Sequence, residues 1–149
     1  MKVKIKIIPE KIEESVLFLA HRMTPFIQNL VQLIENNPSS HLFIRKAGEQ
    51  RERKLDYSSI LYLEYVERKI FIYTQNDVYE IPGPLYKLEH SMPKYFVRIS
   101  KSAIVNVYMI TEFESGLNGN ITAQLTNKEK LIVSRRYVRA LKEHLQQLD

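Results

Sequence analysis

Polar and apolar residues alternate from Lys2 through Lys4 and Lys6 to Ile8, the period of a strand with one buried face. A Pro9-Glu10-Lys11 turn follows, and the continuous β-permissive run from Ser15 to His21 predicts a buried strand. Thr24-Pro25 predicts a helix start, with a capping hydroxyl followed by a proline where a missing N–H costs nothing. Phe26, Leu30, Leu33 and Ile34 then recur at helical spacing until Asn36-Asn37-Pro38 stops the helix. Asn37 to Ser40 reads as a linker, which leaves residues 1–40 as a small strand–strand–helix extension and residues 41–149 as a second domain.

Beyond His41 the pattern is mainly β. Short runs at Leu42 to Lys46, Leu61 to Glu64, Ile70 to Thr74 and Val78 to Ile81 are separated by polar turns. One short helix is predicted over Pro84 to Met92, with Leu85 and Leu88 on one side and Pro93 ending it. Strands resume at Tyr95 to Ile99 and Met109 to Glu114. Between Ser115 and Asn120 lies the strongest turn signal, because Asn-Gly accepts the positive φ of a tight hairpin. Ile121 to Leu125 and Leu131 to Val133 form a second hairpin around Thr126-Asn127-Lys128. Ser134 is expected to cap a closing helix in which Val138, Leu141 and Leu145 share a face. The fold class is therefore mainly β, α+β overall.

Charge changes this picture more than composition does. The 149 residues are 44% hydrophobic and 26% charged, as in ordinary globular proteins, and no apolar run approaches the length of a membrane span. The net charge is +5, yet Lys94 to Tyr108 and Lys130 to Lys142 contribute +3 and +5 with no acidic residue, leaving −3 elsewhere. Basic charge gathered on a mildly acidic background predicts a polyanion-binding face. The bland alternative is a lysine- and arginine-decorated solvated surface.

The candidate chemistry is chiefly a set of exclusions. There is no cysteine, which removes disulfides, thiolate metal sites and cysteine nucleophiles, and the chain is expected to stay in the cytosol. The four histidines, His21, His41, His90 and His144, form no metal-ligand pairing, and His144 reads as a solvated residue of the last helix. The four glycines make neither a phosphate loop nor a dinucleotide fingerprint. Glu64 and Glu67 are expected to form salt bridges with Arg68 or Lys69 rather than to do acid–base work. No enzyme, cofactor, metal or small-molecule substrate is expected.

One stretch carries specific information. In Tyr95 to Asn106, Phe96, Arg98 and Ser100 alternate with Val97 and Ile99, so Arg98 should leave the core face of an anchored strand. Ser100, Lys101 and Ser102 place two hydroxyls and an ammonium in a turn, a set suited to phosphate oxygens or base edges. Asn106 ends the apolar step Ala103-Ile104-Val105 and can cap a turn with its side-chain carbonyl. The combination Phe96, Arg98, Ser102, Val105 and Asn106 resembles the hallmark of the LytTR family of bacterial DNA-binding domains. Ile60 to Glu64 upstream and Val133 to Tyr137 downstream extend the resemblance, in the right order, over roughly residues 41–146.

The resemblance implies an elongated, mostly antiparallel β fold that binds double-stranded DNA through loops inserted into successive major grooves. Carried over by position, the loops are the turn around Glu67, Arg68 and Lys69, the Ser100-Lys101-Ser102 turn, and Ser134-Arg135-Arg136, with Arg98 and Arg139 as further contacts. Lys101 and Arg136 fall at base-contacting positions, and the planar fork of Arg136 suits guanine. Members commonly carry a receiver domain, but residues 1–40 contain no aspartate, so the resemblance is to short stand-alone transcriptional regulators. In some such systems a co-encoded membrane protein restrains the regulator. The extension has too little mass for a core of its own and is expected to dock, favouring a homodimer on direct-repeat half-sites. Two rivals are a non-catalytic module that meets an acidic protein partner and an RNA binder. The second is disfavoured because Tyr62, Tyr65, Tyr73 and Tyr79 lie in strands where packing accounts for them.

Overall fold

The computed structural model describes residues 16–35, 41–46 and 48–148. The chain divides into two compact units, Met1–Asn36 and Asn37–Asp149. In the first, helix α1 spans Pro25–Glu35 and starts as its sequence demands: the Ile27 N–H donates to Thr24 Oγ1 at 3.3 Å. Among its described side chains Ile27 is buried, whereas Phe26 is exposed, about 100° around the helix from it. Ile34, expected on the inward face, is exposed as well. The buried strand expected over Ser15 to His21 is not present in its described part. Val16 to Ala20 lie outside any strand and are exposed. A strand exists only through its ladder, and no described strand pairs with these residues. The strand expected over residues 2–8 and the linker over 37–40 lie outside the described residues.

The second unit contains ten strands, two α-helices and three single-turn 3₁₀ helices among its described residues. In chain order the strands and α-helices are β1 (His41–Lys46), β2 (Glu52–Asp56), β3 (Ile60–Val66), β4 (Lys69–Thr74), β5 (Val78–Pro82), α2 (Leu85–Ser91), β6 (Phe96–Arg98) and β7 (Ala103–Asn106). They continue as β8 (Ile110–Ser115), β9 (Ile121–Leu125), β10 (Lys130–Val133) and α3 (Arg135–Leu148). A seven-stranded sheet runs β2-β1-β5-β4-β3-β7-β6, and a three-stranded one runs β10-β9-β8. Every pairing is antiparallel.

The large sheet is a middle layer with a core on each side. Ile70 and Ile72 of β4, Leu63 of β3 and Ile104 of β7 face one way, where Leu85 and Leu88 of α2 cover them. Leu61, Val105 and Ile99 face the other cluster, closed by Ala123, Leu125 and Val133 of the small sheet and Leu141 of α3. Full burial of Leu141 alone stabilises the α3 packing by about 1.5–3 kcal/mol. Tyr62 and Tyr73 stack across the β3–β4 ladder, with centroids 4.3 Å apart and planes 10° from parallel. Burial first, then the neighbouring Glu129 and Glu64 carboxylates, push both phenols above their usual range and keep them neutral.

His144 is not a solvated residue. Its Nε2 is buried and has no hydrogen-bond partner among the described residues. Burial lowers its pKa below the ordinary 6.5, and a hydrogen bond to the Lys94 backbone pulls weakly the other way. A depressed folded-state pKa means that the unfolded chain binds the proton more readily, so stability is lost as pH falls below about 6.5. Thermal melts at pH 5.5, 6.5 and 7.5 should therefore fall at the acid end, and His144→Leu should flatten that part of the profile. An unchanged slope in the variant would place the acid sensitivity elsewhere.

Candidate nucleic-acid interface

Three turns meet at one end of the large sheet, and main-chain hydrogen bonds join them. The β3–β4 hairpin closes on Val66 paired with Lys69, leaving Glu67 and Arg68 as its two-residue loop. Both have positive φ, 48° and 66°, the conformation of a type I′ turn. Neither is glycine or asparagine, so the turn holds side-chain-bearing residues in the left-handed region at some cost. Beside it, the Tyr65 N–H donates to Ser102 O at 2.7 Å, which ties this hairpin to the β6–β7 connection.

That connection is rigid for its length. Ala103 O accepts both the Ile99 and Ser100 N–H groups, at 3.0 and 3.4 Å, and Ser100 Oγ accepts the Ser102 N–H at 3.2 Å. Lys101 stands exposed at the tip. Arg98, expected to leave the core face, instead shares the Phe96 side of β6, which the α2 core covers, and its side chain is only 20% exposed with its guanidinium occupied. Nε and Nη2 donate to Glu89 Oε2 at 3.1 and 2.8 Å, and Nη1 donates to Lys101 O at 2.6 Å. Arg98 thus clamps the loop to α2.

The third turn joins through Ser134, whose N–H donates to Ile99 O at 2.9 Å. The expected Ser134 side-chain cap on α3 is replaced: the Arg135 N–H is taken by Asn120 Oδ1 at 2.8 Å, from the β8–β9 loop. Ser134 contributes its main-chain carbonyl instead, accepting the Tyr137 N–H at 2.8 Å. Arg135 and Arg136 follow, both exposed, with the Arg136 guanidinium carbon 6.0 Å from the Tyr137 ring centre.

The cations sort into two groups. Lys69 pairs with Glu80 at 3.2 Å, Arg98 with Glu89, and Arg139 with Glu143 at 3.0 Å. The expected bridges from Glu64 or Glu67 to Arg68 or Lys69 do not form, because the β4–β5 ladder brings Glu80 alongside Lys69 instead. Arg68, Lys101, Arg135 and Arg136 have no acidic partner among the described residues. Four unpaired cations and two serine hydroxyls on adjoining turns make an electropositive edge rich in donors, fit for phosphate oxygens or guanine O6 and N7. Sequence reasoning missed Glu89 and Asn120, and Glu89 is identifiable only from the fold. It could have suspected Asn120 from its place beside an Asn-Gly turn.

No two helices are consecutive among the described residues, since α1 precedes β1, α2 lies between β5 and β6, and α3 follows β10. The described residues therefore contain no helix-turn-helix. No described helix is long and apolar enough to cross a membrane.

Comparison with known proteins agrees with this architecture. Residues 50–146 match the LytTr DNA-binding domain family. An uncharacterized HTH-type transcriptional regulator of Staphylococcus aureus strain MSSA476 is 27% identical over 145 residues, 97% of this chain and 98% of the relative. Its counterpart in strain N315 has the same identity and coverage. A LytTr DNA-binding domain from Bacillus cereus superimposes with a TM-score of 0.66 over 72% of this chain and 97% of that one, at 22% identity. With its sheet order, its converging turns and this match over residues 50–146, the chain belongs to the LytTR family of DNA-binding domains.

Proposed function

We propose that this chain is a sequence-specific transcriptional regulator that reads double-stranded DNA through loops in the major groove, without catalysis or cofactor. The observation that carries the proposal is the joining of three cation-bearing turns by Tyr65 N–H to Ser102 O and Ser134 N–H to Ile99 O. Arg68, Lys101, Arg135 and Arg136 are its reading and anchoring groups. Ser100, Ser102 and Ser134 shape the turns, and Lys69 and Arg139, each shared with a carboxylate, make weaker contacts to phosphate. The staphylococcal relatives' regulator name supports the biological role, while the absence of paired helices in the described residues favours loops over a helix-turn-helix reader. Tyr62 and Tyr79 are buried in the cores and cannot stack on bases, whereas Tyr86 and Tyr108 are exposed, so a binding test on single-stranded RNA decides for or against that rival.

Selecting a preferred duplex from random sequence tests the proposal, followed by gel shifts against random duplex and single-stranded RNA over a salt series. A preferred duplex bound at least about a thousandfold above random DNA is expected. Equal binding to all duplexes would reduce the protein to a nonspecific polyanion binder. The N-terminal unit is assigned a docking role that favours a homodimer in the cytosol, and sedimentation at DNA-binding concentrations should show two copies.

Arg98 is expected to act by holding its loop. Arg98→Ala should cost about 1–2 kcal/mol of stability, because the charge-assisted bonds it loses are partly open to solvent. Arg98→Lys keeps the charge but cannot span Glu89 Oε2 and Lys101 O together, so its thermal melt and affinity should follow the alanine variant. Full recovery by lysine would mean that Arg98 serves as a plain cation on DNA.

A further inference from the structure

The β8–β9 loop reaches the proposed reading edge from a separate sheet, and nothing in the family match gives it a task. Its shape is tightly determined. The Gly116 N–H donates to Asn120 O at 2.9 Å, and a Cβ at Gly116 would lie 2.9 Å from that same oxygen. The Asn120 N–H closes the loop on Leu117 O at 3.2 Å, and Asn118 and Gly119 turn the chain with φ of 59° and 80°. Two contacts then leave the loop, and both fall on Arg135. Asn120 Oδ1 takes the Arg135 N–H, and Gly119 lies flat beneath the arginine's side chain, where a Cβ would meet Cγ and Cδ at 3.1 and 3.0 Å. Gly119 also borders a shallow concavity with Arg135, Arg139 and Lys142, so the loop and the cationic face of α3 share one surface.

From these contacts we infer that Asn120 is a positioning residue for DNA reading: its side chain sets the start of α3 and thereby aims Arg135 and Arg136. This rests on the reading proposed above. Ser134 holds the helix start to the β6–β7 turn through its main chain, and Asn120 holds it to the small sheet through a side chain. Leu141 and its neighbours hold the body of α3 in the core, and the two attachments at adjacent residues set the orientation of its first turn. With one removed, Arg136 pivots about the remaining attachment, and the reach to a base edge changes more than the reach to a diffuse phosphate field.

A double-mutant cycle tests this on the selected duplex and on random duplex, using the full chain. Asn120→Ala should weaken the selected duplex about fivefold to tenfold and random duplex less than about twofold, the size of a lost helix cap expressed at one contact. In an Arg136→Ala background the same change should have almost no further effect on the selected duplex. Gly119→Ala strains a position whose φ is 80° and crowds the Arg135 side chain, so it disturbs the same loop-to-helix junction by a second route. It should shift the same ratio in the same direction, and it decides the matter if Asn120→Ala melts below the assay temperature. Losses that are equal on both duplexes and additive with Arg136→Ala would overturn the inference while leaving the reading edge intact. No loss from Arg136→Ala alone would instead overturn the assignment of Arg136 as a base reader.

Discussion

Asn106→Ala should destabilise the second unit by about 2–4 kcal/mol, lowering the thermal midpoint by roughly 10–25 °C for a domain of this size. Asn106 is the buried polar side chain among the described core residues, only 1% exposed. Its Nδ2 donates to Ile60 O at 2.9 Å, and its Oδ1 accepts the Tyr108 N–H at 3.1 Å, capping the 3₁₀ turn that follows β7. Truncation leaves a carbonyl and an N–H without their partners and opens a small void between them. Asn106→Asp is the sharper control, because it keeps the acceptor and the volume but loses the donor to Ile60. It should be nearly as damaging at neutral pH, through a buried carboxylate facing a carbonyl oxygen. Denaturant melts of both variants would measure this. Losses under about 1 kcal/mol for both would mean that water replaces the side chain at little cost.

Arg136→Ala should cost about 1–3 kcal/mol on the selected duplex and much less on random DNA, compressing specificity. The side chain is exposed and has no ion pair among the described residues, and its helix is fixed at Ile99 and Asn120, so it is poised for a planar base edge. Arg139 lies about one helical turn further along, 91% exposed and paired with Glu143. Arg139→Ala should weaken both duplexes similarly and flatten the salt slope by no more than about one unit. Affinities compared at one salt concentration, with slopes from a salt series, separate the two residues. Equal losses for Arg136→Ala on both duplexes would make it a phosphate contact and leave base reading to Lys101.

Much of this architecture is legible where the chain writes its periodicity in apolar residues. The strands around Leu61 to Glu64, Ile70 to Thr74 and Ile121 to Leu125, the helices at Pro25 and Leu85, and the Asn118-Gly119 turn follow from local pattern. β2 does not, because Glu52-Arg53-Lys54-Leu55-Asp56 has a single apolar residue. It is an edge strand whose charges shield an open ladder, and only Leu55 turns inward. β7 hides for the opposite reason: Ala103-Ile104-Val105 is buried on both faces and shows no alternation. Val16 to Ala20 misleads, since β-permissive side chains do not supply a neighbouring strand. In the candidate interface, the positions of the turns were readable but their partners were not. The Arg98–Glu89 clamp and the Asn120 cap join residues 9 and 15 positions apart, through distances that only the folded sheet sets.

The ties between the three turns have an evolutionary consequence. Tyr65 N–H to Ser102 O and Ser134 N–H to Ile99 O are main-chain bonds, indifferent to which side chains the turns carry. Arg68, Lys101 and Arg136 project from a frame whose joints none of them makes. A lineage can therefore exchange those residues one at a time, drifting from one operator to another without passing through an unfolded intermediate. Duplicated copies of such a gene can acquire separate targets by a few surface substitutions, while the sheet beneath them stays unchanged.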